Sequence, residues 1–333
     1  MSPGQSEPYS SVPAHWSAMP RAVIARIRVR EFGVVMAFVA MLIALSLLSD
    51  RFLSVSNLSN VVQQSAVIAI VGFGMTAVIL ASGIDLSVGS VLALTAAVAA
   101  TWMQSGVDPW LAALGALALG AGIGALTGLV IAWSGIQDFI ATLAALSVYR
   151  GLTLLHTGGY PITGEAMFAF STAFAYSSIL GVPTPILVVA ATMAVLLFLL
   201  RMTALGRSIY AVGGNREAAF LSGIPVPGIR VLVYAISGLC AALAGLVLAG
   251  RLASAQPTAG VGLELDAIAA VVIGGTSLFG GRGGVLGTLI GALIIGTLLN
   301  GMNLLDVSAF YQQVVKGLVI LAAVLIDRRP ERG

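Results

Sequence analysis

Charged side chains are scarce in this chain: they make up 9% of its 333 residues, whereas an average soluble protein is about one quarter charged. Hydrophobic residues make up 59%. A soluble globular domain is excluded, because its surface needs far more polar side chains. Since a bilayer crossing takes about 20 apolar residues, this composition can supply about ten transmembrane helices. The sequence therefore predicts an all-α, polytopic integral membrane protein.

Cysteine and histidine are also scarce. The single cysteine, Cys240, excludes an intramolecular disulfide framework and a multi-cysteine metal site, and two histidines are too few for a zinc cluster. We therefore expect no metal and no cofactor on this chain. The net charge of +3 arises from cations between apolar runs, as membrane topology requires, so it does not indicate a nucleic-acid partner. No nucleophile-and-base pair stands out, so an enzyme is not predicted.

Ten apolar runs follow one another along the chain, and each predicts a membrane-spanning helix. The first follows several arginines and lacks a small-residue cleavage pattern behind it, so we interpret it as a retained helix. Spans 2–5 and 7–10 are candidates for an inverted repeat, with broken helices at the glycine-containing junctions 83–87 and 274–277. The runs cover residues 32–49, 61–81, 87–104, 110–133, 138–156, 182–200, 229–249, 265–280, 284–302 and 307–326.

Positive charge sets the predicted orientation. The N-terminal tail, the 201–230 loop, Arg282 and the C-terminus hold twelve of the sixteen Lys and Arg residues, while the opposite side holds Arg51 and Arg251. Because cytoplasmic loops are enriched in Lys and Arg, both termini are predicted to be cytoplasmic. The expected organisation is a disordered cytoplasmic tail at 1–30, a transmembrane domain at 31–327 with a cytoplasmic loop at 201–229, and a cytoplasmic tail at 328–333.

Glycine is abundant, with 40 residues, and much of it lies at four-residue spacing. This spacing lets two helix backbones approach closely in lipid. We interpret the glycines as helix-packing positions rather than as a ligand site. The two clearest sets are Gly120, Gly124 and Gly128, and Gly283, Gly287 and Gly291.

The chain shows no pattern for hydrolysing a nucleotide. A phosphate-binding loop ends in Gly-Lys-Ser/Thr, but the one lysine, Lys316, follows Val315. Ion coupling would use carboxylates within the spans, and Asp85 is the acid placed to serve in that way. The sequence therefore predicts a conduit that receives its work from another subunit. The alternative is an ion-coupled secondary transporter with Asp85 as its coupling site.

A short helix is predicted in the loop between the sixth and seventh spans, at 215–223. Asn215 fits its N-cap, Glu217 its positive end and Gly223 its C-terminal stop. Phe220 is an apolar anchor that suits insertion into a groove on a cytoplasmic partner. A helix that merely connects two spans explains this capping pattern equally well.

Several stretches resemble the ribose/xylose/arabinose/galactose-type permease subunits of bacterial ATP-binding-cassette (ABC) sugar importers. Glu217, Ala218 and Ala219 followed by Gly223 resemble the coupling-helix motif with which such permeases dock on their ATPases. The other stretches are GIDLSVGS at 83–90, LDAIAAVVIGGTS at 265–277 running into GGRG at 280–283, and QQVVKG at 312–317. The resemblance covers residues 33–327. It departs from the family pattern at Arg216, where an acidic or polar residue is usual, and at Ala144, where glycine is expected.

The resemblance implies a multi-pass protein of the bacterial inner membrane that imports a small neutral sugar, either a pentose, a hexose or a related polyol. Its implied partners are a second permease subunit in a homodimer, a cytoplasmic ATPase that uses ATP and Mg, and a periplasmic or lipid-anchored sugar-binding protein. The sequence does not distinguish among the sugars. The resemblance implies a role in coupling to the ATPase for Gly214, Asn215, Glu217, Ala218, Ala219, Phe220 and Gly223.

Polar residues inside the predicted spans are candidates for the transport pathway. A charge at bilayer depth costs roughly 3 kcal/mol, so each needs a partner or a function. For Lys316 we favour a structural role, in which it pairs with a carboxylate or with the carbonyl groups of a broken helix, over direct contact with the substrate. Asp85 is one candidate partner, although it also fits the N-cap of the third span, which we favour. Arg150 is expected to extend toward the outer interface near His156. The candidates are Asp85, Arg150, Asn300, Gln312, Gln313 and Lys316, and the neutral amides could either join helices or bind sugar hydroxyls.

Overall fold

The computed structural model describes residues 21–326, with side chains from 34 to 325. The described part is almost entirely helical. The expected tails at 1–20 and 328–333 lie outside the described residues. The helices are α1 (Arg21–Leu48), α2 (Val55–Leu80), α3 (Val88–Gln104), α4 (Pro109–Ser134), α5 (Asp138–Thr157), α6 (Glu165–Phe170), α7 (Thr184–Met202), α8 (Ala204–Gly214), α9 (Arg216–Leu221), α10 (Val226–Leu252), α11 (Leu263–Ile273), α12 (Val285–Leu304) and α13 (Ala309–Ile326).

Each predicted apolar run corresponds to a helix. The helices are α1 to α5, α7 and α10 to α13. In the described part of the chain, α2, α4, α5, α7, α10 and α12 are long and apolar enough to cross a membrane. The all-α, polytopic membrane architecture is confirmed, while the number of crossings stays a prediction. Helix α1 begins at Arg21, so residues 21–30, which the sequence analysis assigns to a disordered tail, are helical instead.

The segment between α5 and α7 has structure that the apolar runs do not predict. It contains α6, a single π-helical turn at Ser171–Ala175, and a small antiparallel hairpin of β1 (Ser178–Ile179) and β2 (Val182–Pro183). The two-residue turn of this hairpin has positive φ at Leu180 and Gly181, as the right-handed twist of paired strands favours.

Helices α2 and α10 pack against each other at the centre of the molecule. The apolar window of α2 is 83% buried within the chain, whereas that of α7 is 17% buried. Helix α4 packs along α10 through its glycines: a Cβ on Gly124 would overlap the carbonyl oxygen of Tyr234. The packing role predicted for Gly120, Gly124 and Gly128 is thereby confirmed, because all three face α10.

The second glycine set joins α12 to α11. A Cβ on Gly287 would overlap the backbone of Gly274, and one on Gly291 would overlap the backbone of Ala270. Gly283 lies before α12, against Thr276. These close approaches again confirm a packing role.

We name the side that carries α8 and α9 the cytoplasmic side, because five of the eight arginines between residues 34 and 325 lie there. Two irregular segments meet on this side: 81–87 links α2 to α3, and 274–284 links α11 to α12. Segment 81–87 follows α2, the first helix of the set α2 to α5. Segment 274–284 follows α11, the second helix of the set α10 to α13. The two segments therefore do not occupy equivalent positions in the two sets of spans, and the inverted repeat stays a prediction. The five arginines are Arg201, Arg207, Arg216, Arg230 and Arg282.

Candidate functional site

Helix α9 has the termini that the sequence predicts. The Asn215 Oδ1 atom accepts a hydrogen bond of 3.0 Å from the backbone N–H of Ala218, which is the N-cap arrangement. Gly223, with φ of 81°, lies just beyond the end of the helix. This left-handed conformation is the one that a helix stop requires and that glycine adopts without strain.

The two faces of α9 differ in exposure. Ala219 is buried toward the membrane domain, whereas Phe220 is 66% exposed and Leu221 is 79% exposed. Both large side chains project from the cytoplasmic side. Desolvation lowers the pKa of Arg216, the neighbouring Arg230 lowers it further, and Asp138 opposes the shift. The helix therefore presents an apolar tip beside a guanidinium group.

The end of α8 contacts the end of α2 directly. A Cβ on Gly213 would overlap the carbonyl oxygen of Leu80, so the two backbones touch at this point. That same carbonyl oxygen accepts a hydrogen bond of 2.9 Å from the N–H of Gly281, in the segment between α11 and α12. A helix ends with carbonyl groups that have no partner within the helix, and here another segment satisfies one of them.

Ser82 joins the same three segments through its side chain. Its Oγ lies 3.0 Å from the carbonyl oxygen of Gly213 and 2.8 Å from that of Phe279. Its backbone has φ of 60°, which is uncommon for a residue other than glycine. Three segments thus meet in one contact adjacent to α9: the end of α8, the end of α2 and the 274–284 segment.

A buried ion pair lies next to this contact. Arg230 near the start of α10 pairs with Asp138 at the start of α5. One helical turn further on, the Tyr234 hydroxyl donates to Asp138 Oδ2 at 2.8 Å and lies 3.1 Å from the carbonyl oxygen of Ile84. A cavity of about 320 Å³ opens beside the pair, lined also by Arg216 and by the turn between α4 and α5.

Asp85 is enclosed within the protein, at 2% exposure. Its Oδ1 accepts from the backbone N–H of Ser87 at 2.9 Å and from the Ser87 hydroxyl at 2.6 Å, and its Oδ2 accepts from Ser237 at 2.7 Å. The N-cap of α3 is Ser87, so the N-cap interpretation of Asp85 is wrong. Its carboxylate instead fastens the 81–87 segment to α10.

Lys316 forms an ion pair with a carboxylate, one of the two structural partners expected for it, and that carboxylate is Asp266. The two side chains are 2.8 Å apart and join α13 to α11. The suggestion that Asp85 is the partner is therefore wrong. Pairing removes the need for a free charge at bilayer depth.

Arg150 binds the segment that precedes α11. Its Nη1 atom donates to the carbonyl oxygens of Pro257 and Ala259, at 2.6 and 2.9 Å. The described partners of the Arg150 guanidinium are these carbonyl groups, while the His156 Nε2 atom lies 2.9 Å from Thr101 Oγ1. Arg150 and Lys316 thus hold the two ends of one stretch of chain, from residue 257 to residue 266.

The amide candidates lie apart from one another. Asn300 exchanges two hydrogen bonds of 3.0 Å with Asn57, which joins α12 to α2. The Gln312 amide donates to Asn303 Oδ1 at 2.7 Å and to the Val307 carbonyl at 2.9 Å. Gln313 is exposed. The six intramembrane candidates therefore do not converge on one pocket, and the described contacts of Asn300 are those of a residue that joins helices.

Sequence reasoning missed Ser82, Asp138, Tyr234 and Asp266. Asp138 and Asp266 had a detectable signal, since each is an acid near the first turn of an apolar helix, where the helix dipole favours negative charge. Arg230 was counted only toward membrane orientation. Nothing in the local sequence distinguishes Ser82, whose partners lie 131 and 197 residues away. Ala144 is exposed, so its methyl group tightens no described contact.

Comparisons with known proteins agree on one family. Residues 57–324 match the family described as the permease component of the branched-chain amino acid transport system. The chain is 52% identical over 298 residues to the ribose import permease protein of Escherichia coli K12, covering 89% of this chain and 92% of the relative. It is 50% identical over 300 residues to the ribose import permease protein of Bacillus subtilis 168, covering 90% of this chain and 93% of the relative.

A further relative is the D-allose transport system permease protein of Escherichia coli K12, which is 45% identical over 284 residues, 85% of this chain and 86% of the relative. No solved structure matches. The matched region includes every helix from α3 to α12, together with the segments that meet at the cytoplasmic side. The chain therefore belongs to the family of permease subunits of bacterial ABC importers, as a multi-pass protein of the cytoplasmic membrane.

Proposed function

We propose that this chain imports a small neutral sugar, with ribose as the first candidate, and that a separate cytoplasmic ATPase supplies the work. The sugar permeases to which it is similar are named for ribose and D-allose. Transport by alternating access needs two arrangements of the membrane helices and a source of energy that shifts them. This chain is proposed to act as a transport subunit that has no ATPase site of its own; ATP and Mg are bound by its partner.

The observation that carries the proposal is the exposed apolar tip of α9. Phe220 and Leu221 project into the cytoplasm from a short, capped helix whose Ala219 is buried against the membrane domain. A short apolar helix of this kind fits a groove on a partner protein. We propose that the ATPase provides this groove, with Gly214, Asn215, Glu217, Ala218 and Gly223 shaping and terminating the helix.

The enclosed carboxylate of Asp85 fits this proposal better than ion coupling. Its oxygens accept hydrogen bonds from Ser87 and Ser237, and its side chain does not line the cavity beside Arg230 and Asp138. An ion-binding carboxylate needs a path to solvent and free oxygen lone pairs. We therefore give Asp85 a structural role.

A homodimer and a substrate-binding protein on the outer side complete the proposed assembly. Two copies of this chain would place two α9 helices over two ATPase subunits. The binding protein would select the sugar, whose identity the polar contacts of this chain do not specify.

The test is a reconstituted system of this chain, its ATPase and its binding protein in proteoliposomes. Replacing both anchors, Phe220→Ala with Leu221→Ala, is expected to lower ATP-dependent ribose uptake at least tenfold and to weaken ATPase binding. The matched control is Leu180→Ala, which truncates a side chain that is 99% exposed on the other side of the protein. Normal coupled uptake by the double variant would refute the role of α9. Uphill uptake by the purified chain alone, without ATP, would refute the whole proposal.

A further inference from the structure

We propose that Ser82 is a positioning residue that transmits movement of α9 to the two helix breaks, 81–87 and 274–284. This inference rests on the proposed function, because it concerns how a force applied at α9 reaches the membrane helices. It adds a specific residue, outside α9, on which the coupling of ATP hydrolysis to transport depends.

The first argument is the position of Ser82 between the three segments. Its Oγ is within hydrogen-bond distance of the Gly213 carbonyl, two residues before the N-cap of α9, and of the Phe279 carbonyl in the break between α11 and α12. Ser82 itself lies in the break between α2 and α3. One side chain therefore touches the coupling element and both breaks.

The second argument is the number of protons that the hydroxyl can donate. A serine hydroxyl has one donor proton, yet two carbonyl oxygens lie at 3.0 and 2.8 Å from Ser82 Oγ. The one proton is therefore shared between the Gly213 and Phe279 carbonyl groups. A movement of either segment changes this shared contact, so the hydroxyl links the position of α8 to that of the 274–284 segment.

The third argument is the rigid backbone contact that surrounds the hydroxyl. The Gly213 backbone touches the Leu80 carbonyl without room for a Cβ, and the Gly281 N–H donates to that carbonyl at 2.9 Å. A displacement of α8 cannot be absorbed by soft side chains at this point. It moves the end of α2 directly.

The fourth argument is the backbone conformation of Ser82. Its φ of 60° lies in the left-handed region, which glycine adopts without a steric cost and serine only with backbone strain. Such conformations persist where surrounding contacts hold them, and they cluster at functional sites. This conformation also makes glycine a diagnostic substitution, because glycine relaxes the backbone and removes the hydroxyl at once.

The experiment compares Ser82→Ala and Ser82→Gly with wild type in the reconstituted complex. It measures the ribose taken up per ATP hydrolysed, together with the thermal unfolding midpoint of each purified chain. Both variants are expected to hydrolyse ATP while the uptake per ATP falls at least fivefold. Ser82→Gly is expected to unfold at the wild-type temperature or above. The control is Ser134→Ala, which removes a hydroxyl that donates at 2.6 Å within its own helix at the same side, and it should retain wild-type coupling.

Wild-type uptake per ATP in both Ser82 variants would overturn the proposal. A fall in coupling that follows the unfolding midpoint in every variant, Ser134→Ala included, would also overturn it, because it would indicate a purely structural role. These outcomes are distinguishable from failure of the proposed function itself. If the proposed function is wrong, the wild-type complex itself will show no ATP-dependent ribose uptake. That result would overturn both the proposed function and the role of Ser82.

Discussion

The Lys316 ammonium lies 2.8 Å from Asp266 Oδ2 and ties α13 to α11 across 50 residues of sequence. Both charges belong to helices of the membrane domain, where an isolated charge is expensive. The pair therefore neutralises two charges at once. It also explains why the one lysine of the chain lies in the middle of an apolar run.

Replacing the lysine alone should leave a buried carboxylate without a partner. We expect Lys316→Met to destabilise the chain by roughly 3 kcal/mol, since breaking one side of a buried pair costs more than the pair contributes. The measurement is thermal or denaturant unfolding in detergent. The double variant Lys316→Met with Asp266→Leu should recover most of the loss, and a single variant as stable as wild type would contradict this account.

Removing the guanidinium of Arg150 should loosen the stretch before α11. The carbonyl oxygens of Pro257 and Ala259 would lose charged donors, each worth about 1.5–3 kcal/mol. We expect Arg150→Met to increase hydrogen exchange across residues 253–262 and to slow uptake several-fold. Arg51→Met removes the same charge on the same side of the membrane and serves as the control. Unchanged exchange in Arg150→Met would show that other contacts hold this stretch.

The glycines of α4 allow a matched comparison. Gly124 has no room for a Cβ because the Tyr234 carbonyl lies against it, whereas Gly122 faces open space. Gly124→Ala should destabilise the chain by about 1–3 kcal/mol through overpacking, and Gly122→Ala should not. Unfolding midpoints of the two variants decide the matter, and equal midpoints would exclude close α4–α10 packing.

Two adjacent glycines at the end of α8 allow the same comparison next to α9. A Cβ on Gly213 would overlap the Leu80 carbonyl, but one on Gly214 would meet no atom within 4 Å. We expect Gly213→Ala to displace α8 and abolish coupled uptake. Gly214→Ala should leave α8 in place, stabilise it by about 0.5–1 kcal/mol because alanine favours the helix, and lower uptake far less than Gly213→Ala. ATP-driven uptake in proteoliposomes is the readout, and an active Gly213→Ala would argue against the direct backbone contact.

Patterns among neighbouring residues predicted the helices and the ends of α9. The ten apolar runs marked ten helices, and Asn215 and Gly223 marked the two ends of α9, because apolar length and capping depend on neighbouring residues. The same reasoning did not supply the partners of Asp85, His156 and Arg150. Each has a partner that is determined by which helices are neighbours in space.

The amino-acid sequence by itself determined the class of this protein, its ten apolar helices, the caps of α9 and the packing role of its spaced glycines. These follow from composition and from contacts within a few residues. Only the tertiary structure decided that Lys316 pairs with Asp266, that Arg150 binds the carbonyl groups of Pro257 and Ala259, and that Ser82 joins the two helix breaks to α8. Burying a charge or a hydroxyl without a partner costs free energy, so the sequence indicates that such a residue needs a partner. Which residue serves as the partner depends on contacts between residues far apart in the chain.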